Sequence, residues 1–230
     1  MKRLMLGALL VALAVPAQAQ DEIIVTASRR SAGDSAQTSG VGVKRRADFA
    51  VERVTVYGDA RDKTLRRKEI IDTVRGAIRL AATRGIELAY GETLIRPLTL
   101  GNVEDKLSFD EEESRNDAEK VSFVIKTPLG SGDASAAFDR LAAFRKAVPL
   151  VGRAELEPDG EPGVSIVDPS QYRAAVIAAI AADANAAARA FGANYVAEVA
   201  NLNRPIRWVL VSPTEVLLYL DHDLQVVSKP

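Results

Sequence analysis

From residue 49 onward the apolar positions switch between two periods, and each switch marks a predicted element. Val51 to Tyr57 is rich in β-branched and aromatic residues and predicts a strand, ended by Gly58-Asp59. Leu65, Ile70, Ile71, Val74, Ala77, Ile78, Ala81 and Ala82 then recur mostly three or four residues apart, which predicts a helix over 62–84. Gly85 follows as a left-handed cap, a place that favours a residue without Cβ. Ile86 to Leu98 alternates through Ile86, Leu88 and Tyr90, predicting one strand bent at Gly91 and stopped by Pro97. Residues 101–119 hold few apolar groups and read as a long polar loop.

Val121 to Ile125 predicts a strand, and residues 134–147 a short helix carrying Phe138, Leu141, Ala142 and Phe144. Ser131 or Asp133 is its expected N-cap. The short strands 151–156 and 164–167 flank a turn-rich segment and suggest a hairpin. Asp168-Pro169 then opens the longest helix, with Asp168 as N-cap and Pro169 at the first helical position. It runs to Phe191, roughly 35 Å at the helical rise, and Gly192 ends it. Strands at 195–201, 206–211 and 215–227 finish the chain, the last apolar on both faces around Val216 to Leu220 and so central or covered. The order predicts an α+β fold: a mainly antiparallel sheet with two long helices and one short helix packed on it. Regular βα alternation, and with it a doubly wound nucleotide fold, is missing.

The first 48 residues follow other rules. Lys2 and Arg3 precede an apolar run from Leu4 to Val15, and Ala17-Gln18-Ala19 closes it with small residues where a signal peptidase needs them. Residues 1–19 therefore read as a cleavable signal peptide, since about 20 apolar residues are needed to span a bilayer core. This places the mature chain in the periplasm, with no membrane span after cleavage. Residues 20–48 read as an extended segment and flexible linker, and 49–230 as the folded domain. Ser31 to Arg46 is rich in Ser, Gly, Ala and Thr and lacks periodicity.

Composition narrows the chemistry. Thirty basic and 31 acidic residues leave no electrostatic case for nucleic acid. Cysteine is absent, which removes thiol chemistry and cysteine-ligated metal. His222 is the single histidine, in Asp221-His222-Asp223, and the local sequence supplies no further metal ligands, so no metal site is assigned. No nucleophile elbow accompanies it, and no catalytic residue or cofactor motif emerges. Gly130-Ser131-Gly132-Asp133 lacks the lysine of a phosphate loop and reads as a turn. Arg66, Arg67 and Lys68 read as surface charge, and Trp208 as core.

Two resemblances add to this. Asp21-Glu22-Ile23-Ile24-Val25-Thr26-Ala27-Ser28-Arg29-Arg30 resembles the TonB box of outer-membrane receptors: an acidic residue, a β-branched triplet, Thr, small residues, then arginines. The likeness implies that Glu22, Ile23, Ile24, Val25 and Thr26 bind a TonB-like protein by strand addition from a free tail. The main domain resembles the SIMPL-domain family of exported bacterial proteins linked to oxidative-stress defence. It does so through Val54-Thr55-Val56-Tyr57-Gly58 before a basic helix, a strand pair with a polar insertion, the short helix 134–147, and the Ala-rich helix ending in Phe191-Gly192-Ala193. The turn around Pro158 and Pro162 and the charged 104–120 loop depart from that pattern.

The expectation is thus a non-enzymatic envelope protein acting through protein contacts. The SIMPL-like pattern and the β-rich apolar C-terminus imply a homo-oligomer. The alternative is a small-ligand-binding or hydrolytic periplasmic protein whose site is made of scattered residues.

Overall fold

The computed structural model describes residues 21–25, 40–112, 118–132 and 134–229. The signal-peptide segment, Thr26, Asp133 and most of the 20–48 region lie outside them.

Thirteen strands and four α-helices are present among the described residues. Strands β1 (Glu22–Val25) and β2 (Val43–Arg46) precede β3 (Phe49–Gly58). Helix α1 (Lys63–Arg84) follows, with β4 (Glu87–Tyr90), β5 (Leu94–Pro97) and the one-turn helix α2 (Val103–Lys106). Then come β6 (Asp110–Glu111), β7 (Glu119–Pro128), α3 (Ala134–Ala147), β8 (Glu155–Pro158) and β9 (Gly163–Val167). Helix α4 (Arg173–Phe191) leads to β10 (Tyr195–Ala200), β11 (Arg207–Ser212), β12 (Glu215–Tyr219) and β13 (Asp223–Ser228).

The main sheet closes on itself. β3 pairs with β7, β7 with β4, β4 with β5, β5 with β1, β1 with β9, and β9 returns to β3, every pair antiparallel. The result is a six-stranded barrel, with β6 and β8 as short additions on β7 and β3. Because side chains alternate along a strand, each stave has an inward and an outward set. Ile24, Val51, Ala89, Ile95 and Val124, with Phe49 against them, come from five staves and fill the barrel. The outward set, including Ala50, Val54, Val56, Val121, Phe123 and Ile125, belongs to a larger core. The buried face of α1 (Ile70, Ile71, Val74, Ala77 and Ala81) and that of α3 (Ala137, Leu141 and Phe144) complete that core.

Two smaller sheets lie beyond the barrel. β11, β12 and β2 form a three-stranded sheet with β12 in the middle. β10 and β13 form a two-stranded ribbon beneath α4.

Several expectations hold. Gly85 ends α1 in the left-handed region at φ 64°, as expected, while at the other end Asp62, read as part of the helix, is its cap and accepts from the Leu65 N–H. Val216 to Leu220 is buried, as a central strand requires. Others are corrected. The antiparallel character stands, but four helices of 22, 4, 14 and 19 residues replace the two long and one short. The predicted strand 86–98 folds back on itself as the β4–β5 hairpin. Gly91 makes that turn at φ 114°, where an added Cβ would sit 2.2 Å from the Leu94 carbonyl oxygen. The 101–119 loop holds α2 and β6.

The expected 157–163 hairpin is absent, because β8 and β9 each pair with β3 and not with one another. The strand 215–227 divides at Leu220–His222, so that β12 and β13 enter different sheets. Asp168 adopts φ 43° without capping, and residues 169–172 form a 3-10 turn before α4 begins. Parts of the 20–48 region are ordered in sheets. Residues 22–25 are a barrel stave, and 43–46 pair with β12 through main-chain bonds that the Ser/Gly-rich composition around them concealed.

Candidate functional site

Of the residues predicted to bind a partner, Thr26 lies outside the described residues and the other four form β1. That strand is paired on both edges: Glu22 to Val25 opposite Val167 to Val164 of β9, and Glu22 and Ile23 opposite Ile95 and Leu94 of β5. The β-branched triplet explains the placement, since Ile23 and Val25 point outward into the larger core while Ile24 points into the barrel. All four are buried. A free tail is therefore not what these residues form here.

Glu22 faces the barrel interior with Ile24, and its charge is met there. The Lys126 ammonium donates to one carboxylate oxygen, and the Ser165 hydroxyl donates to the other. Lys126 also lies 3.2 Å from a Glu87 carboxylate oxygen and 4.0 Å from the centroid of the Phe49 ring. Glu22, Lys126 and Ser165 are all buried, so the pair is charged, hydrogen-bonded and shielded from water. Its strongest chemical capability is register. A shift of β1 by one residue would turn Glu22 into the apolar outer core and leave Lys126 with only the more exposed Glu87 as its carboxylate partner.

A second buried carboxylate sits where α1 meets the start of β7. Glu119 accepts from Arg66 Nε at 2.9 Å and from Arg67 Nε and Nη2 at 2.9 and 2.6 Å. Burial pushes its carboxyl pKa up, but hydrogen bonds and charge from Arg67 and Arg66 outweigh that and hold it below the usual range. Arg66, read from sequence as surface charge, is buried and also donates to the Ala60 carbonyl. Arg67 stacks over the Phe109 ring, 4.6 Å from its centroid.

The third cluster is poorly matched. Glu52 of β3 lies 3.4 Å from Arg145 Nε of α3, yet Arg145 Nε and Glu52 Oε2 make no hydrogen bond of good geometry. Burial raises the Glu52 carboxyl pKa more than Arg145 lowers it.

None of these residues lines the cleft found among the described residues. The described surface instead offers two apolar features. One is a cleft of about 470 Å³ between α3, the start of β9 and the end of β11, with no ionisable residue among those lining it. The other is the outer side of α4 and its ribbon, where Phe191 is 64% and Tyr195 40% exposed. The segment Pro169–Phe191 is long and apolar enough by length and composition to cross a membrane; here it packs one face on β10 and β13. Among the described residues no group of three or more His, Cys, Asp or Glu side chains could hold a metal ion. His222 sits in the break between β12 and β13, with Nδ1 2.9 Å from the Leu220 carbonyl oxygen.

Sequence reasoning missed Lys126, Ser165 and Glu119. The signal for the first was a lone lysine directly after the apolar run Val121 to Ile125, but its partner lies 104 positions away.

No family model, curated protein or solved structure matches the chain.

Proposed function

We propose that the chain is an exported, non-enzymatic periplasmic protein, SIMPL-like, that acts in envelope and oxidative-stress physiology through homo-oligomerisation or other protein contacts. The observation that carries this reading is the β10–β13 ribbon. Its strands pair only with one another among the described residues, so both outer edges present unsatisfied main-chain groups. A two-stranded ribbon is marginal by itself, and further strands on either edge would complete it. Phe191 and Tyr195, with ring centroids 5.8 Å apart, add exposed aromatic surface beside it. The Glu22–Lys126 and Glu119–Arg66–Arg67 clusters support a structural role, since their charges are paired within the fold.

Sedimentation analysis of the mature protein tests this. The Lys229 N–H donates to the Asn194 carbonyl, and alternation from that bond points the Ala197 and Val226 amides away from the ribbon. Proline at Ala197 or Val226 removes one outward donor and is expected to shift the oligomer toward monomer with the fold retained. A wild-type protein that is monomeric at all concentrations would contradict the reading.

Glu22, Ile23, Ile24, Val25 and Thr26 would meet a TonB-like protein only if β1 leaves the barrel. Exposing three buried aliphatic side chains costs about 1.5–3 kcal/mol each, so the partner must supply a comparable gain. Pull-down of a TonB-like protein by the full mature chain, and its loss on removal of residues 21–30, is the expected signature.

A further inference from the structure

The cleft between barrel and C-terminal sheet is more selective than a surface depression. Its volume of about 470 Å³ lies in the range of small-molecule sites. Phe138 of α3, Val164 of β9, and Leu210 and Val211 of β11 supply its apolar lining. The β11–β12 register shifts between Leu210 and Ser212, a bulge that leaves Val211 39% exposed in the cleft instead of paired in the sheet. Among the described lining residues the one side-chain hydroxyl, Ser212 Oγ, is already engaged: it lies 3.4 Å from Glu215 Oε2 and 3.4 Å from the Thr214 amide nitrogen.

Pro162 and Pro213, which also line it, have no N–H to offer. β11 is an edge strand, but Pro213 and the bulge interrupt the donor row that an added peptide strand would need. The described lining residues carry no ionisable side chain and present mostly apolar surface, which disfavours an ionic ligand.

We propose that this cleft is a binding site for a small, uncharged, apolar molecule of the aromatic or short-alkyl class. Val164 pairs with Val25 of β1 and Ala50 of β3, so an occupied cleft rests against the stave that closes the barrel. Binding therefore stabilises the closed fold by linkage.

The test uses the full mature chain and the neutral fluorophore N-phenyl-1-naphthylamine, with its anionic relative 8-anilino-1-naphthalenesulfonate as comparison. The expected result is saturable one-site binding of the neutral probe, tighter than the anionic one, with a rise in Tm at saturation. Val211→Asp places a charge in the cleft at a partly exposed position and should weaken binding at least about tenfold, with Tm unchanged when no probe is present. Phe138→Ala removes one wall and should weaken binding independently. Absence of saturable binding, or equal affinity in wild type and in both variants, would overturn the site.

Discussion

Glu119 shows how a single buried carboxylate can hold a junction together. Its oxygens are shared by Arg66 and Arg67, and Lys63 Nζ approaches to 3.8 Å. Glu119→Ala leaves buried Arg66 without its anion, and breaking such a pair costs about 3–5 kcal/mol; chemical denaturation should show that loss. The pH dependence follows from the sign of the shift. The folded carboxyl titrates below the ordinary 4.5, so its stabilisation is present above that value and lost as pH falls through the lowered folded one. Glu119→Gln should flatten the acid limb of the stability curve.

Glu52 runs the other way. Its raised pKa means that ionisation opposes folding as pH rises through the folded value. Because Glu52 Oε2 and Arg145 Nε make no hydrogen bond, replacing both residues with leucine should raise Tm at neutral pH. A fall in Tm would mean that the pair contributes more than its geometry indicates.

At the scale of elements, local signals were read well and pairing was not. The α1 boundaries follow from a capping aspartate, an apolar period and a cap glycine, all within 24 residues of sequence. The β4–β5 hairpin is not legible in the sequence, because a glycine at position 91 fits a bend in one strand as well as a reversal, and only its positive φ separates the two. Gly91→Ala should weaken this hairpin, seen as faster amide exchange in β4 and β5, because the added methyl meets the Leu94 carbonyl.

β1 is the deeper case. High strand propensity in Ile23-Ile24-Val25 was legible, but propensity does not name a partner. Its neighbours β5 and β9 lie about 70 and 140 residues further along the chain. The Glu22–Lys126 pair was illegible for the same reason. Lys126→Met leaves the Glu22 carboxylate buried beside only Ser165 and should cost several kcal/mol, roughly 3–5. Replacing Glu22 and Lys126 together by leucine and methionine should recover most of that loss.

At the scale of the whole molecule, the predicted antiparallel sheet is a barrel whose closure depends on the four residues of β1. Closure removes the main-chain edges of β5 and β9 that an open sheet would expose. Among the described residues the β10–β13 ribbon keeps both of its outer edges unpaired, and that is where the proposed protein contacts are placed. The antiparallel α+β class was legible because strand and helix periods alternate irregularly. Closure was not, since it is a property of non-local pairing and leaves no periodic trace.

Native-state hydrogen exchange of the Ile23, Ile24 and Val25 amides in the full mature chain tests the central claim most directly. If β1 is a barrel stave, these amides exchange about as slowly as those of the core strands β3 and β7, opening only with global or near-global unfolding. Exchange at the rate of an unstructured peptide, with β3 and β7 still protected, would contradict the account and return Glu22–Val25 to the role of a free tail.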